Sequence, residues 1–467
     1  MWAKFKNKFI GDRAFYRRVT YIVIPMIIQN AITSFVNFLD NIMVGQIGTE
    51  QMTGVAVVNQ LLFVFNICIF GGVSGAGIFG AQFYGSGNEE GLQYVLRFKM
   101  IICIAISAIA IALLLLWPDF LINLFLTDSG EGDVAATLMY GKQYLVVMLW
   151  GLAPFAIKEA YASSLKETEE TVLPMIASTI AVFINLLLNA LLIFGLCGFP
   201  KLGVVGAAVA TVISRYVEFA IVIISCHRGK RAFFKGVYKK FYIPKWLILQ
   251  IIYKGAPLLL NETFWSAGVI AMNQRYSQRG LGVVAAINIA STIANLFNVV
   301  YLSMGSSISV IVGKELGAGR LKEAKSTATK MIAFSVACCL VTGALMAACS
   351  YGFANIYNTT DAIKELAVIF ICICAILTPV EALNNAAYFT MRSGGKTFIT
   401  FLFDSVFLWV ISIPVATVLV TYTDWGIVPV YAFCQSLNLI KSVIGVILVK
   451  KGIWVQNVVV HNSVTEE

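Results

Sequence analysis

Residues 21–48, YIVIPMIIQNAITSFVNFLDNIMVGQIG, have a gap-free counterpart at residues 253–280, YKGAPLLLNETFWSAGVIAMNQRYSQRG. Adding 232 carries Tyr21 to Tyr253, Pro25 to Pro257, Ser34 to Ser266, Asn41 to Asn273, Gln46 to Gln278 and Gly48 to Gly280. The same offset carries Phe65 to Phe297, Asn66 to Asn298, Ser74 to Ser306, Gly85 to Gly317 and Gly87 to Gly319. The matches fall in two long apolar segments and their turns, so each half of the chain is expected to begin with a similar helix pair. Two copies of one membrane unit are a sequence signature of transporters.

The medium follows from composition. The chain is 59% hydrophobic and 12% charged, with a mean hydropathy of +0.83, far outside the range of soluble globular chains. A membrane span needs about 20 apolar residues, and twelve such segments are present, six per half. They run over 18–46, 52–84, 92–117, 134–162, 171–197, 204–227, 246–278, 283–316, 323–350, 362–391, 397–421 and 427–450. The expected fold is an all-α polytopic membrane protein with two pseudo-symmetric six-helix lobes. Its expected parts are an N-terminal segment 1–17, an N-lobe 18–227, a basic linker 228–245, a C-lobe 246–452 and a tail 453–467.

The net charge of +10 is unevenly placed. Arg13, Arg17 and Arg18 precede the first span, Arg97 and Lys99 follow the second, and a run from Arg228 to Lys245 follows the sixth. The alternate loops offer only Lys142, Lys201, Arg275, Arg279 and Lys364. By the positive-inside rule both termini are expected to be cytoplasmic in a multi-pass protein of the plasma membrane. Basic and aromatic residues interleave in the linker, but directly beside a span they are expected to lie on anionic headgroups and not on nucleic acid. The basic N-terminus resembles a signal peptide, yet its apolar run is too long and lacks a small-residue cleavage site, so a retained first helix is expected. The ten cysteines lie in spans or at helix ends and are expected to pack without disulfides.

Several chemistries lack their parts. The tail of a phosphate loop is present at Ser393, Gly394, Gly395, Lys396 and Thr397, but the upstream glycine is missing and no strand precedes it. Gly85, Gly87, Gly317 and Gly319 end helices at matching points of the repeat, as C-capping glycine does. His227 and His461 both lie outside the spans, so no His-based metal centre or Ser-His hydrolase can form in the bilayer.

Ionisable side chains at membrane depth are costly and mark ion or substrate paths. Asp40 is the clearest, in the outer half of the first helix. Glu262 occupies the position equivalent to Asn30 under the repeat, near mid-bilayer, and Glu381 and Asp404 are comparably deep. The last three carboxylates are expected to share a proton or cation. Arg215 and Glu218, three apart on the sixth span, have the spacing of an ion pair, and Glu159, flanked by basic residues, is expected to be solvated.

Pro25, the segment from Asn37 to Gly48, the run Gly75–Gly87 containing AQFYGSG and the sequence GKELGAG at 313–319 together resemble the multidrug and toxic compound extrusion (MATE) family over essentially the whole chain. The resemblance implies two six-helix lobes around a central cavity that opens alternately to either side. It also implies exchange of cationic amphipathic compounds for inward-moving Na⁺ or H⁺. On this likeness Asp40 matches the first-helix aspartate that couples the cation or proton, Asn185 matches an asparagine beside it and Thr211 a threonine. Asn189 stands where the family carries a second aspartate, which leaves one formal carboxylate and weakens the attraction for Na⁺. Glu262 lies on a helix where some members carry a functional glutamate.

The expected activity is therefore secondary antiport by alternating access, not enzymatic catalysis. Asp40, Asn185, Asn189, Thr211 and Glu262 form the expected coupling set, and Glu381, Asp404, Asn37 and Trp265 a second proton or substrate site. Phe35, Phe38, Phe63, Trp265, Met272 and Tyr301 are candidates to line a cavity and stack on a flat cation. The coupling ion, H⁺ or Na⁺, takes the place of a cofactor. No resident metal is expected, with Na⁺ a candidate at Asp40 alone. The expected partners are small amphipathic cations and membrane lipids, with no nucleic acid, for a protein acting as a monomer. The alternative is a flippase for a lipid-linked saccharide, which would need several basic residues in its cavity, whereas only Arg215 and Lys441 are basic at depth.

Overall fold

The computed structural model describes residues 9–124, 133–229, 232–239 and 242–460, and these form helices and turns with no β-strand among them. In order they are α1 (Arg13–Gly45), α2 (Thr49–Ser86), α3 (Glu89–Leu116), the short α4 (Pro118–Asn123), α5 (Val134–Leu149), α6 (Leu152–Glu167) and α7 (Val172–Phe194). Then come α8 (Val204–Arg228), α9 (Lys245–Ser277), α10 (Leu281–Gly317), α11 (Leu321–Ala354), α12 (Asp361–Ser393), α13 (Thr397–Tyr422) and α14 (Ile427–Lys451).

Ten of these helices are long and apolar enough to cross a membrane, and α5 with α6 passes as one further span bent by 49°. With its 33 residues α9 is long enough as well, although Lys254, Asn261 and Glu262 dilute its apolar character. Together they account for the twelve segments read from the sequence. At about 1.5 Å per residue, the 38 residues of α2 run well beyond the roughly 30 Å of a hydrocarbon core.

The segment 134–162 is not one straight helix, and proline chemistry explains the break. Pro154 has no N–H to give the Trp150 carbonyl four residues earlier. That carbonyl instead accepts the Tyr216 hydroxyl of α8 at 3.2 Å. A similar release occurs at Pro379 in α12, whose missing donor frees the Ala375 carbonyl. Gly343 of α11 faces it so closely that a Cβ there would lie 2.5 Å from the oxygen.

The chain divides into two compact units, one of Met1–Ile27, Ala81–Asn88 and Gln250–Glu467, the other of Ile28–Gly80 and Glu89–Leu249. In the first unit the inner turns of α2 and α10 pack through repeat-related positions. A Cβ on Gly85 would stand 1.9 Å from the Lys314 carbonyl oxygen, and one on Gly317 would stand 1.9 Å from that of Gln82. Lys314 is the repeat equivalent of Gln82, so the contact is its own pseudo-symmetric mate. Each helix then ends on a left-handed glycine, Gly87 at φ 72° and Gly319 at φ 73°. The next amide reaches back to close the turn, Asn88 N to Phe83 O and Arg320 N to Glu315 O, both at 3.0 Å.

The second unit has its core among α2, α3, α5, α6, α7 and α8, around Phe65, Ile69, Tyr144, Leu145 and Ile193. The basic linker packs onto this unit. Phe234 stacks on Tyr161 at 5.3 Å, and Arg97 Nε donates to the Val237 carbonyl at 2.7 Å. The linker's aromatic residues thus divide between protein and exterior, with Phe233 and Phe234 buried and Tyr238 and Tyr242 exposed. All ten cysteines are free thiols.

Candidate functional site

Asp40, near the end of α1, meets two asparagines of α7 that lie four residues apart and so share one helix face. Asn189 Nδ2 donates to Asp40 Oδ1 at 2.7 Å. The Asn185 amide is best satisfied with its nitrogen 3.1 Å from Asp40 Oδ2 and its oxygen 3.3 Å from the Thr211 hydroxyl of α8. Both asparagines are buried, whereas Asp40 and Thr211 are half-buried. Nearby, the Tyr144 hydroxyl donates to Asn59 Oδ1 at 3.4 Å. Asp40 is thus held by neutral donors. Asn189 Oδ1 is buried without a hydrogen-bond partner, an oxygen still able to accept. The three residues expected around Asp40, Asn185, Asn189 and Thr211, therefore do come together with it, whereas Glu262 does not join them. Asn37 and Phe38 have side chains outside the described residues.

A second polar cluster sits within the first unit. Lys441 Nζ of α14 donates to Asp404 Oδ1 at 2.5 Å, and Asn261 Nδ2 of α9 donates to Asp404 Oδ2 at 3.1 Å. Ser405 Oγ donates toward the Asn261 carbonyl and Oδ1, each at 2.8 Å, which fixes the amide. Glu262, half-buried, has Arg392 and Asp404 as charged neighbours, and Glu381 has Lys441 and Asp404 as charged neighbours and Asn438 as a hydrogen-bond partner. Asp404 rides on a π-helical turn, Leu402–Val406, followed by another at Leu408–Ser412. Such wide turns are uncommon and often mark functional sites.

This arrangement revises the expectation that three carboxylates share a proton or cation. Asp404 is already neutralised by Lys441, leaving Glu262 and Glu381 as the flanking acids. Lys441 was recognisable in the sequence as one of two basic residues at depth, but its partner lies 37 residues away in sequence, beyond any helical spacing rule. Asn261, Ser405 and Tyr388, whose hydroxyl accepts from Asn261 Nδ2 at 3.5 Å, were not foreseen, because uncharged polar residues in spans carry little signal of their own. Trp265 is exposed on α9, as are Phe35 and Phe63 on α1 and α2, whereas Met272 packs against an apolar core.

Two further expectations change. Arg215 and Glu218 do not pair. Glu218 is bridged by Lys158 at 3.3 Å and receives the Ser178 hydroxyl at 2.5 Å. Arg215 donates to the Gly151 carbonyl at 3.5 Å and lies over the Phe155 ring. The spacing permitted the pair, but the broken α5–α6 junction supplied Arg215 with an acceptor at Gly151, and Lys158 within α6 supplied Glu218 with a different cation. Glu159, expected to be solvated, instead pairs with Lys158 and is two-thirds buried. No group of three or more His, Cys, Asp or Glu side chains able to hold a metal ion occurs among the described residues.

The MatE family model matches residues 25–191 and 257–418, beginning at the two prolines that the internal repeat superposes. The chain is 24% identical over 447 residues to "Probable multidrug resistance protein NorM" of Thermotoga maritima, with 96% of this chain and 94% of that protein covered. It is 24% identical over 452 residues to "Probable multidrug resistance protein YoeA" of Bacillus subtilis, covering 94% and 95%. In fold it is similar to an outward-facing multidrug resistance MATE family transporter of the MOP superfamily, with a TM-score of 0.84 at 18% identity and coverage of 95% and 96%. A MOP superfamily transporter from Pyrococcus furiosus, noted for a binding pocket of reverse polarity, has a TM-score of 0.82 at 18% identity, covering 94% and 96%.

Proposed function

Because the chain belongs to the MatE family of multidrug and toxic compound extrusion transporters, we propose that it exports amphipathic organic cations in exchange for H⁺ or Na⁺ by alternating access. It is a multi-pass membrane transporter and not an enzyme. The observation that carries the coupling reading is Asp40: a carboxylate in the outer part of a membrane helix, held by the neutral amides of Asn185 and Asn189. Neutral donors stabilise the charged form without discharging it, so an exchangeable cation can bind and leave. A lysine in their place would compete with the exchangeable cation for the carboxylate.

Alternation is a two-state equilibrium that substrate and ion must prefer differently. Each elementary charge moving inward gains about 2.3 kcal/mol per 100 mV of membrane potential. Loading Asp40 from outside and emptying it inside therefore couples an existing gradient to export. Glu262 and Glu381, beside Asp404, are assigned to a second proton or substrate site. The placement of basic residues supports cytoplasmic termini, and the protein is proposed to work as a monomer without a cofactor.

The test is efflux of ethidium or tetraphenylphosphonium from proteoliposomes under separately imposed pH, Na⁺ and voltage gradients. Asp40→Asn is expected to lose gradient-driven transport, and Glu262→Gln to reduce it. Full transport by both variants would refute the site assignment. If no gradient drives any organic cation, a dithionite assay of lipid flipping becomes the decisive measurement.

A further inference from the structure

We infer that Lys441 is a tethered counter-cation: it neutralises Asp404 while the site is empty, and an entering organic cation displaces it. The inference rests on the antiporter reading and adds a specificity-determining residue to it. Three observations carry it. The pair is partly accessible, with 20% of the Asp404 side chain and 12% of that of Lys441 exposed, so a competitor can reach it.

The surroundings also suit an organic cation as well as an ammonium. The Phe403 ring lies 5.2 Å from Lys441 Nζ, presenting an aromatic face beside a carboxylate, the chemistry by which quaternary and aromatic cations are held. Asn261 keeps its hold on Asp404 Oδ2 whichever cation occupies the other oxygen. The π-helical turn that carries Asp404 sets the site apart from the ordinary helix around it.

The displaced lysine, finally, has somewhere to go. Breaking a buried ion pair by removing one partner is strongly unfavourable, so the pair must be exchanged and not merely opened. Glu381, a second acid beside Lys441, can receive the ammonium as the substrate takes Asp404. Glu262 is a further acid beside Asp404, with Arg392 in turn beside Glu262. A lysine stem with four rotatable carbons allows such a swing.

Tetraphenylphosphonium binding to the purified full-length protein, measured by titration calorimetry, tests this. Lys441→Met removes the competing charge and is expected to tighten binding about tenfold, a change of about 1.4 kcal/mol. Adding Asp404→Asn to that variant should abolish the gain. Lys441→Arg keeps a tethered cation and should stay near wild type, and Glu381→Gln should weaken binding by depriving the lysine of its second partner. Thermal unfolding of each variant verifies that it is folded, and the Lys441→Arg and Glu381→Gln arms remain decisive if Lys441→Met is not. Equal or weaker binding by folded Lys441→Met, in a protein whose wild type transports the probe, overturns the inference and leaves antiport standing. Absence of binding and transport in wild type and Lys441→Met alike overturns both.

Discussion

Lys99 and Glu167 form an ion pair sealed from solvent, with side-chain exposures of 0% and 8%, in contrast to the accessible Lys441–Asp404 pair. Lys99 Nζ also reaches Ser163 Oγ at 3.1 Å and Ser164 Oγ at 3.2 Å, while Ser163 Oγ donates to Glu167 at 2.7 Å. Sealing and full satisfaction point to a fixed staple between α3 and α6. Removing one partner of a buried pair costs about 3–5 kcal/mol, so Lys99→Met should sharply lower the Tm in detergent. The double variant Lys99→Met/Glu167→Gln should recover part of the loss, because no buried charge is then stranded. The sequence placed Lys99 among the basic residues that follow the second span, and its partner 68 residues on was out of reach of any local pattern. Asp40 was different: its cost in an apolar helix announced it without a partner.

Among the helices, the glycines at the inner ends of α2 and α10 divide into two physical roles that look alike in sequence. Gly87 and Gly319 supply left-handed turns with open space around them, whereas Gly85 and Gly317 admit another helix's backbone carbonyl where a side chain would stand. Gly87→Ala should therefore cost only the left-handed penalty of about 1–2 kcal/mol. Gly85→Ala and Gly317→Ala each drive a Cβ into a carbonyl and should cost more, at or above the roughly 1–3 kcal/mol of overpacking. Thermal unfolding of the three single variants orders them; equal costs would mean that the crossing relaxes freely. The C-capping reading holds for Gly87 and Gly319, because helix ends depend on local backbone, but not for Gly85 and Gly317, whose close crossing depends on which helices meet. The bend between α5 and α6 was not foreseen, since 134–162 reads as one span, and the Tyr216 hydroxyl that takes the carbonyl freed by Pro154 is not predictable from the segment itself.

At the scale of the molecule, the chain's last described residues are built into the first unit. Trp454 is fully buried and its Nε1 donates to the Val449 carbonyl at 3.1 Å. Beyond it Gln456 Nε2 donates to Gly394 O at 2.6 Å, Asn457 Nδ2 to Gly317 O at 3.0 Å, and Val458 N to Gln82 Oε1 at 2.8 Å. This segment thereby ties the ends of α2, α10 and α12, and Trp454→Ala is expected to cost about 3–5 kcal/mol, as for other buried tryptophans. Expression in membranes and Tm should both fall, and an unchanged Tm would show the strap to be incidental. The sequence by itself determined the solvent, the helices, the twofold repeat and the presence of acids at depth, because composition, local periodicity and the cost of charge in hydrocarbon are all written along the chain. Only the tertiary structure decided which acid is discharged by a lysine, which is held by amides and which glycine admits a neighbour. Those outcomes depend on side chains brought to within about 3 Å from distant segments, and no one-dimensional pattern records that distance.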